Sequence, residues 1–282
     1  MKIVIIQENG RHEKNRNFRE CFSMQRALQR LDCEVDVWGL GHHNFEDIPE
    51  WNSYDLILNL ENYDTSGWIP DLSQTVKPKK FLWSIDAHCR GLTSYVNTFK
   101  VGKYHLILQS TEDFVGKNSV WFPNCYDHTL IKPSAEKKVF LGFCGSLLNR
   151  EPILNELSVK YGLKKDIWKL GDDMVEVVSS YQVHFNMNLA NDINYRSFET
   201  IGCNTLLLTN YNPQYEKLGF IDGVNCLMYR NVEELYAKIE KCQKDLKFVN
   251  DISEAGFILS KNHTYDVRAK KLLSIFRGMK NV

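Results

Sequence analysis

The chain has 282 residues, of which 43% are hydrophobic and 25% charged, a composition that fits a folded globular protein and excludes a disordered or fibrous one. Lysine plus arginine and aspartate plus glutamate both total 35, so there is no global polyanion-binding signature, although a local basic patch would vanish in the sum. The length suits one large domain or two of about 130 residues each.

The first apolar run, Ile3–Ile6, is too short for a secretory h-region, and no later run approaches a membrane span. The eight cysteines are scattered without a C-x-x-C, which reads as buried free thiols in a reducing, cytoplasmic setting.

The N-terminal half alternates strand and helix. Lys2–Gln7 reads as a buried strand, followed by the polar loop Glu8–Asn15. Phe18, Cys21, Phe22, Leu28 and Leu31 fall at helical spacing. Strands are expected at Glu34–Trp38, Tyr54–Leu60, Lys80–Ile85, His105–Gln109 and Val120–Phe122. A polar connection with Pro123 and Pro133 then marks a domain boundary. The same grammar restarts. Val139–Phe143 is a strand, Gly145–Arg150 a turn, and Glu151–Tyr161 a helix. A helix over Asp172–Tyr181 and a strand over Gln182–Asn188 follow. The segment Asn191–Thr209 reads as a loop, a short helix stopped near Gly202, and a buried strand. Asn225–Tyr229 is a short strand, Val232–Leu246 an amphipathic helix, and Thr264 a candidate N-cap for the last helix. Such alternation predicts two α/β halves, each a parallel sheet with helices on both faces.

In doubly wound sheets ligands gather beyond the carboxyl ends of the strands. That rule selects four places: the loop Glu8–His12, the strand end carrying Asp86 and His88, the turn with Gly145, Ser146 and Arg150, and the loop Asn188–Arg196. Gly145 permits close backbone approach, Ser146 offers a hydroxyl, and Arg150 is a forked cation suited to a diphosphate. The same turn also reads as an ordinary strand-to-helix connection with a solvated arginine. A histidine at position 88 suits acid–base work near neutral pH, or is a satisfied loop residue. Glu199 lies one turn into a helix whose N-terminus favours an anion, but Arg196 and Glu199 also form a plain i, i+3 pair. No Asp-x-Asp, G-x-S-x-G or G-x-G-x-x-G occurs, which disfavours metal-held nucleotide-sugar, hydrolase-elbow and dinucleotide readings.

These pieces, in order, resemble the two-domain GT-B glycosyltransferases of the retaining group 1 (family 4) type, closest to the short CgeB-like, spore-maturation-protein-like branch. Phe122–Asp127 is similar to the family's "hPNGhD" connection. Phe143–Arg150 resembles its "FVGS…R" turn, and Tyr195–Thr209 its "R-x-F-E-x-x-x-x-G-x-x-L-L-T" donor segment. Asp222–Tyr229 resembles a downstream "G-x-x-h-h-x-Y" strand, and His263–Arg268 the closing "HTYxxR" helix.

The resemblance implies two Rossmann-like domains facing a central cleft. Residues 1–124 would be the acceptor side and 125–262 the nucleotide-sugar side, and a helix over 263–282 would pack back on the first domain. It implies that Glu199 bonds the donor ribose and that Arg150, Gly145 and Ser146 hold the diphosphate. Donor contacts extend to Asn188, Asn191, Asn194, Tyr195, Arg196 and Ser197. His88 and Asp86 would lie near the reacting sugar, and Asn9, Gly10, Arg11 and His12 would border the acceptor or phosphate. No metal or cofactor is implied beyond a nucleotide-sugar co-substrate, best a UDP-sugar. The acceptor would be a glycan, a small molecule or a modified DNA base, the last drawing on Arg11, Lys14, Arg16, Arg19, Arg90, Lys100 and Lys103. One departure is visible. Many members carry E-x7-E, and Asn191 stands where the first glutamate would be. That substitution admits a second reading, a nucleotide-sugar-binding protein without turnover.

Overall fold

Two parallel sheets organise the protein, seen here in a computed structural model that describes residues 1–62, 67–90 and 98–279. The chain divides into one unit built from Met1–Pro123 plus the segment from Tyr265 onward, and a second built from Asn124–Thr264.

The first unit holds strands β1 (Lys2–Ile6), β2 (Glu34–Trp38), β3 (Leu56–Leu60), β4 (Lys79–Ser84), β5 (Leu106–Gln109) and β6 (Ser119–Trp121), in the order β2-β1-β3-β4-β5-β6. Every pairing is parallel. Parallel strands are covered on both faces, which is why Ile3, Val4, Ile5 and Ile6 form an unbroken apolar run with no exposure. One face buries Val4, Ile6, Ile57, Leu82 and Ile107 with Trp38 and Tyr54. The C-terminal helix Tyr265–Met279 belongs to this unit, packed on the helix Glu20–Gln29. Tyr265 meets the ring of Trp83, the Arg268 Nε–H donates to the Pro123 carbonyl at 2.7 Å, and Arg30 pairs with Asp266. The last residues expected in that helix, 280–282, lie outside the described residues.

The second unit holds β7 (Val139–Gly145), β8 (Lys164–Ile167), β9 (Tyr181–Asn186), β10 (Leu206–Asn210) and β11 (Leu227–Tyr229), in the order β11-β10-β9-β7-β8. Its main core joins Leu141, Phe143, Val183, Phe185, Leu206 and Leu208 to Leu154, Leu157, Leu235, Ile239 and Ile252 from three helices. The helix Glu151–Tyr161 falls where its spacing predicts, and it stops at Gly162 with φ +68°, a left-handed cap that glycine adopts without strain. Several elements lie outside the sequence expectations, among them the short helix Pro213–Lys217. β8 has the polar sequence Lys-Lys-Asp-Ile and sits at the sheet edge. The helix Leu246–Ser260 is capped by the Asp245 side chain, which accepts from the Phe248 N–H.

Both sheets place their first strand between the second and third, so each has a switch point where successive connections leave in opposite directions: β1/β3 in the first unit and β7/β9 in the second. Among the described residues no helix is long and apolar enough to cross a membrane. Among the described residues no cysteine is in a disulfide, and six of the eight are buried.

β7 and β9 approach closely at Gly142, where an added Cβ would lie 2.4 Å from the ring of the fully buried Tyr181. That ring cannot swing aside, because its hydroxyl donates to Asp166 Oδ2 at 2.5 Å. Gly142→Ala is expected to destabilise the protein by about 1–3 kcal/mol through overpacking. Urea unfolding checks this, and an unchanged midpoint would contradict the packing described.

Candidate functional site

The carboxyl ends of β7 and β9 flank the second unit's switch point. β7 ends at Gly145, and the turn that follows brings Arg150 back across it. The Arg150 Nε–H donates to the Met187 carbonyl at 2.9 Å, and Nη1 donates to the Ser146 carbonyl at 3.4 Å. One arginine therefore ties the loop after β7 to the loop after β9. Burial lowers its pKa from the usual arginine value, and Asp192 works in the opposite direction. Among the described residues no carboxylate lies within ion-pair distance of its guanidinium. A half-buried guanidinium at a strand end, with Asp192 near but not in ion-pair contact, is a suitable partner for a phosphate.

The loop from Met187 to Asn194 is held from below by a buried polar network. The Asn188 N–H donates to Asn210 Oδ1 at 2.8 Å, and its carbonyl accepts from Asn210 Nδ2 at 3.1 Å. Its side chain donates to the Tyr215 hydroxyl at 2.9 Å and accepts from the Asn194 N–H at 3.2 Å. Asn194 caps the helix Tyr195–Gly202 by accepting from the Ser197 N–H, and it donates to Asn186 Oδ1. The Ser197 hydroxyl lies 2.7 Å from that of Tyr215. Asn188 and Ser197, expected at the donor, are thus 3% and 0% exposed, with side chains turned inward. Asn191 remains at the surface, its carbonyl accepting from Gln214 Nε2 at 2.9 Å.

Arg196 and Glu199 form the i, i+3 ion pair at 2.8 Å, with side chains only 19% and 17% exposed. Arg196 therefore pairs with Glu199 by charge, although its buried Nη1 makes no hydrogen bond. Glu199 has one oxygen engaged, and its other oxygen makes no hydrogen bond among the described residues.

His184, absent from the sequence expectations, joins this helix to β7. The Cys144 N–H donates to His184 Nε2 at 3.2 Å, which makes Nε2 the acceptor and places the proton on Nδ1. Nδ1–H then donates to Thr200 Oγ1 at 2.7 Å, whose hydroxyl donates to the Arg196 carbonyl at 2.6 Å. Burial, with Arg196 nearby, holds the imidazole well below its usual pKa, so it is neutral. No spacing rule singles out a lone histidine inside an apolar strand.

The first unit's carboxyl edge is organised by residues just after β3. Asn62 Oδ1 accepts from the Glu8 N–H at 2.8 Å. Glu61 Oε2 accepts from the Ile85 and Asp86 N–H groups at 2.7 and 2.6 Å. Glu61 and Asn62 thereby link the loop after β1 to the turn after β4, a role their position directly behind a buried strand offers as the only sequence signal. Asn9 donates to the Gly41 carbonyl at 3.0 Å. Gly10 has φ +80°, and Arg11 and His12 are exposed. Asp86 and His88 stand half-buried beside and within the short helix Ala87–Arg90. Of the expected basic set, Arg19 lies 3.8 Å from Glu20 and donates to the Glu8 carbonyl, and the side chain of Arg90 is outside the described residues. Among the described residues no group of three or more His, Cys, Asp or Glu is arranged to hold a metal.

The His184 chain carries a pH signature. Its native pKa is depressed, so the unfolded chain takes up the proton first as pH falls. The stability it contributes is complete above the unfolded value of about 6.5 and declines as pH drops below it. His184→Gln is expected to lose on the order of 1 kcal/mol less than the wild type between pH 7.5 and 5.5. Urea unfolding at both pH values measures this, and identical losses would contradict a neutral His184.

A family model described as glycosyl transferase-like matches residues 153–274, a span that includes Glu199 but begins after Arg150. No curated protein matches the sequence significantly. Solved structures match over the whole chain. Anabaena Alr3699/HepE in complex with UDP and glucose has a TM-score of 0.67 at 12% identity, covering 99% of this chain and 100% of that one. Sucrose-phosphate synthase from Thermosynechococcus elongatus scores 0.65 at 11% identity, covering 99% of both. An alpha-glucosyltransferase in complex with UDP and a 13-mer DNA containing an HMU base scores 0.69 at 10% identity, covering 98% of this chain and 99% of that one. The two parallel α/β units described above thus have the architecture of these structures, and the chain has the GT-B fold.

Proposed function

We propose that this protein is a glycosyltransferase that moves a sugar from a UDP-sugar to an acceptor hydroxyl with retention of configuration, and that it needs no metal. The observation that carries this reading is Arg150, pinned across the β7/β9 switch point with no carboxylate in ion-pair contact among the described residues. The glycosyl transferase-like match and the UDP-bound neighbours support the same reading.

In this account the diphosphate lies against the Gly145–Ser146 turn and takes the outward N–H groups of Arg150. The free oxygen of Glu199 accepts a ribose hydroxyl while its other oxygen stays on Arg196. Arg196 thus acts by positioning Glu199 and not as a phosphate ligand. Asn191 and the backbone of Asn194–Tyr195 border the sugar and phosphate, and the buried amides beneath keep that border in place. In the first unit, His88, Asp86 and the loop Asn9–His12 stand at the carboxyl edge of the parallel sheet, where ligands of such sheets gather.

As the bond between the anomeric carbon and the diphosphate breaks, charge builds on the leaving phosphate. Arg150 is fixed before the reaction, so stabilising that charge needs little reorganisation. The acceptor oxygen attacks on the same face, and its proton passes to a leaving phosphate oxygen. The acceptor class is a hydroxyl on a glycan or small molecule. The zero net charge weighs against a nucleic-acid acceptor, which the DNA-bound neighbour brings into view.

Incubation with UDP-, GDP- and ADP-sugars, read by nucleoside diphosphate release, tests this. UDP release from at least one sugar is expected, and Arg150→Ala is expected to reduce it by about 100-fold or more with a native circular dichroism spectrum. Binding of a UDP-sugar with no release under any acceptor would favour a silent binding protein. Wild-type turnover in the variant would remove Arg150 from the site.

A further inference from the structure

The segment after β8 carries the most exposed tryptophan among the described residues, Trp168, at 67% exposure. Its predecessor Ile167 packs against the main core of the second unit, so the strand is anchored one residue before the indole. The backbone at Trp168 is left-handed, with φ +57°, a conformation that bulky residues rarely adopt. Neither feature helps the fold, since the indole leaves apolar area in water and the backbone conformation is costly without a glycine. Such outliers persist where a site uses them.

The position of Trp168 relative to Arg150 follows from the register. Ile167 is the partner of Gly145, and paired strands lie about 4.8 Å apart, so Trp168 stands beside the start of the Gly145–Ser146 turn. On the side of β7 that carries Cys144, charged groups from two elements converge. Burial pushes the Cys144 thiol up, and the thiol senses Arg196, Glu199, Asp166 and Lys169. Arg196 and Glu199 come from the helix Tyr195–Gly202, and Lys169 directly follows Trp168. Asp166 is already engaged, accepting from the Tyr181 hydroxyl at 2.5 Å and pairing with Lys164 at 3.2 Å. The other flank of the helix Tyr195–Gly202 is closed, because Asn188 and Ser197 both bond the Tyr215 hydroxyl in the interior. A nucleotide with its diphosphate on the Gly145–Ser146 turn and its ribose on Glu199 therefore directs its base toward the β8 side.

Taking the proposed donor site as its premise, the geometry points to Trp168 as the residue on which the base of the donor nucleotide stacks. An exposed indole offers a broad π-face, and a base laid on it removes apolar area of both rings from water. Trp168 thus supplies affinity through the base and does not touch the diphosphate.

Isothermal titration with UDP and with inorganic pyrophosphate, which has no base, tests this on the wild type, Trp168→Ala, Trp168→Phe and Arg150→Ala, each with a native circular dichroism spectrum. Trp168→Ala is expected to weaken UDP binding by about tenfold or more and to leave pyrophosphate unchanged. Trp168→Phe keeps an aromatic face and is expected to stay within about threefold of the wild type. Arg150→Ala is expected to weaken both ligands. Wild-type UDP affinity in Trp168→Ala would overturn the stacking, and the donor site would still stand if Arg150→Ala had lost both ligands. Equal losses of UDP and pyrophosphate in Trp168→Ala, or a loss in Trp168→Phe as large as that in Trp168→Ala, would also overturn it. No UDP binding by the wild type would overturn the stacking and the donor site together.

Discussion

Asn188 uses all its polar groups inside the protein, and the second unit's carboxyl edge depends on that. The loop between β9 and the helix Tyr195–Gly202 has no regular ladder to hold it. Two amide rungs with Asn210, one bond to Tyr215 and one from the Asn194 N–H supply the missing constraints. A loop carrying this many buried polar groups is stable only when they are satisfied, because each orphan would cost about 1–3 kcal/mol. The network also fixes what it supports. Met187, immediately before Asn188, presents the carbonyl that positions Arg150.

A second chain acts on the same edge from the strand side. Cys144, His184, Thr200 and Arg196 form a one-way run of hydrogen bonds from β7 to the helix backbone. Arg196 then carries Glu199. The turn after β7 and the proposed ribose acceptor are therefore linked through the protein interior by a neutral histidine. Together the two networks make the edge a rigid platform, which suits electrostatic catalysis by groups set before substrate arrives.

Much of the fold was legible because buried parallel strands write themselves as short apolar runs. Ile3–Ile6, Leu56–Leu60 and Leu206–Leu208 needed no more than that. β8 was not legible, since Lys-Lys-Asp-Ile at an edge carries neither alternation nor an apolar run. The helix Leu246–Ser260 had a readable start in Asp245 and apolar positions at Val249 and Ile252, but it follows the preceding helix with only one residue between. At the site, sequence order located Arg150, Glu199 and the loop between them. It did not show which way the side chains turn. Asn188 and Ser197 are small polar residues at a strand end and helix start, where ligand contact and interior capping look alike in sequence. The contact between Glu61 and the turn at Asp86 spans 24 to 25 residues and leaves no local pattern.

In the proposed function the preorganised edge formed by Gly145–Arg150 and Asn188–Ser197 receives the nucleotide. Hydrogen–deuterium exchange with and without UDP tests it directly. Slowed exchange confined chiefly to those two segments of the second unit is expected. Slowed exchange centred elsewhere in the chain, with these segments unchanged, would contradict it.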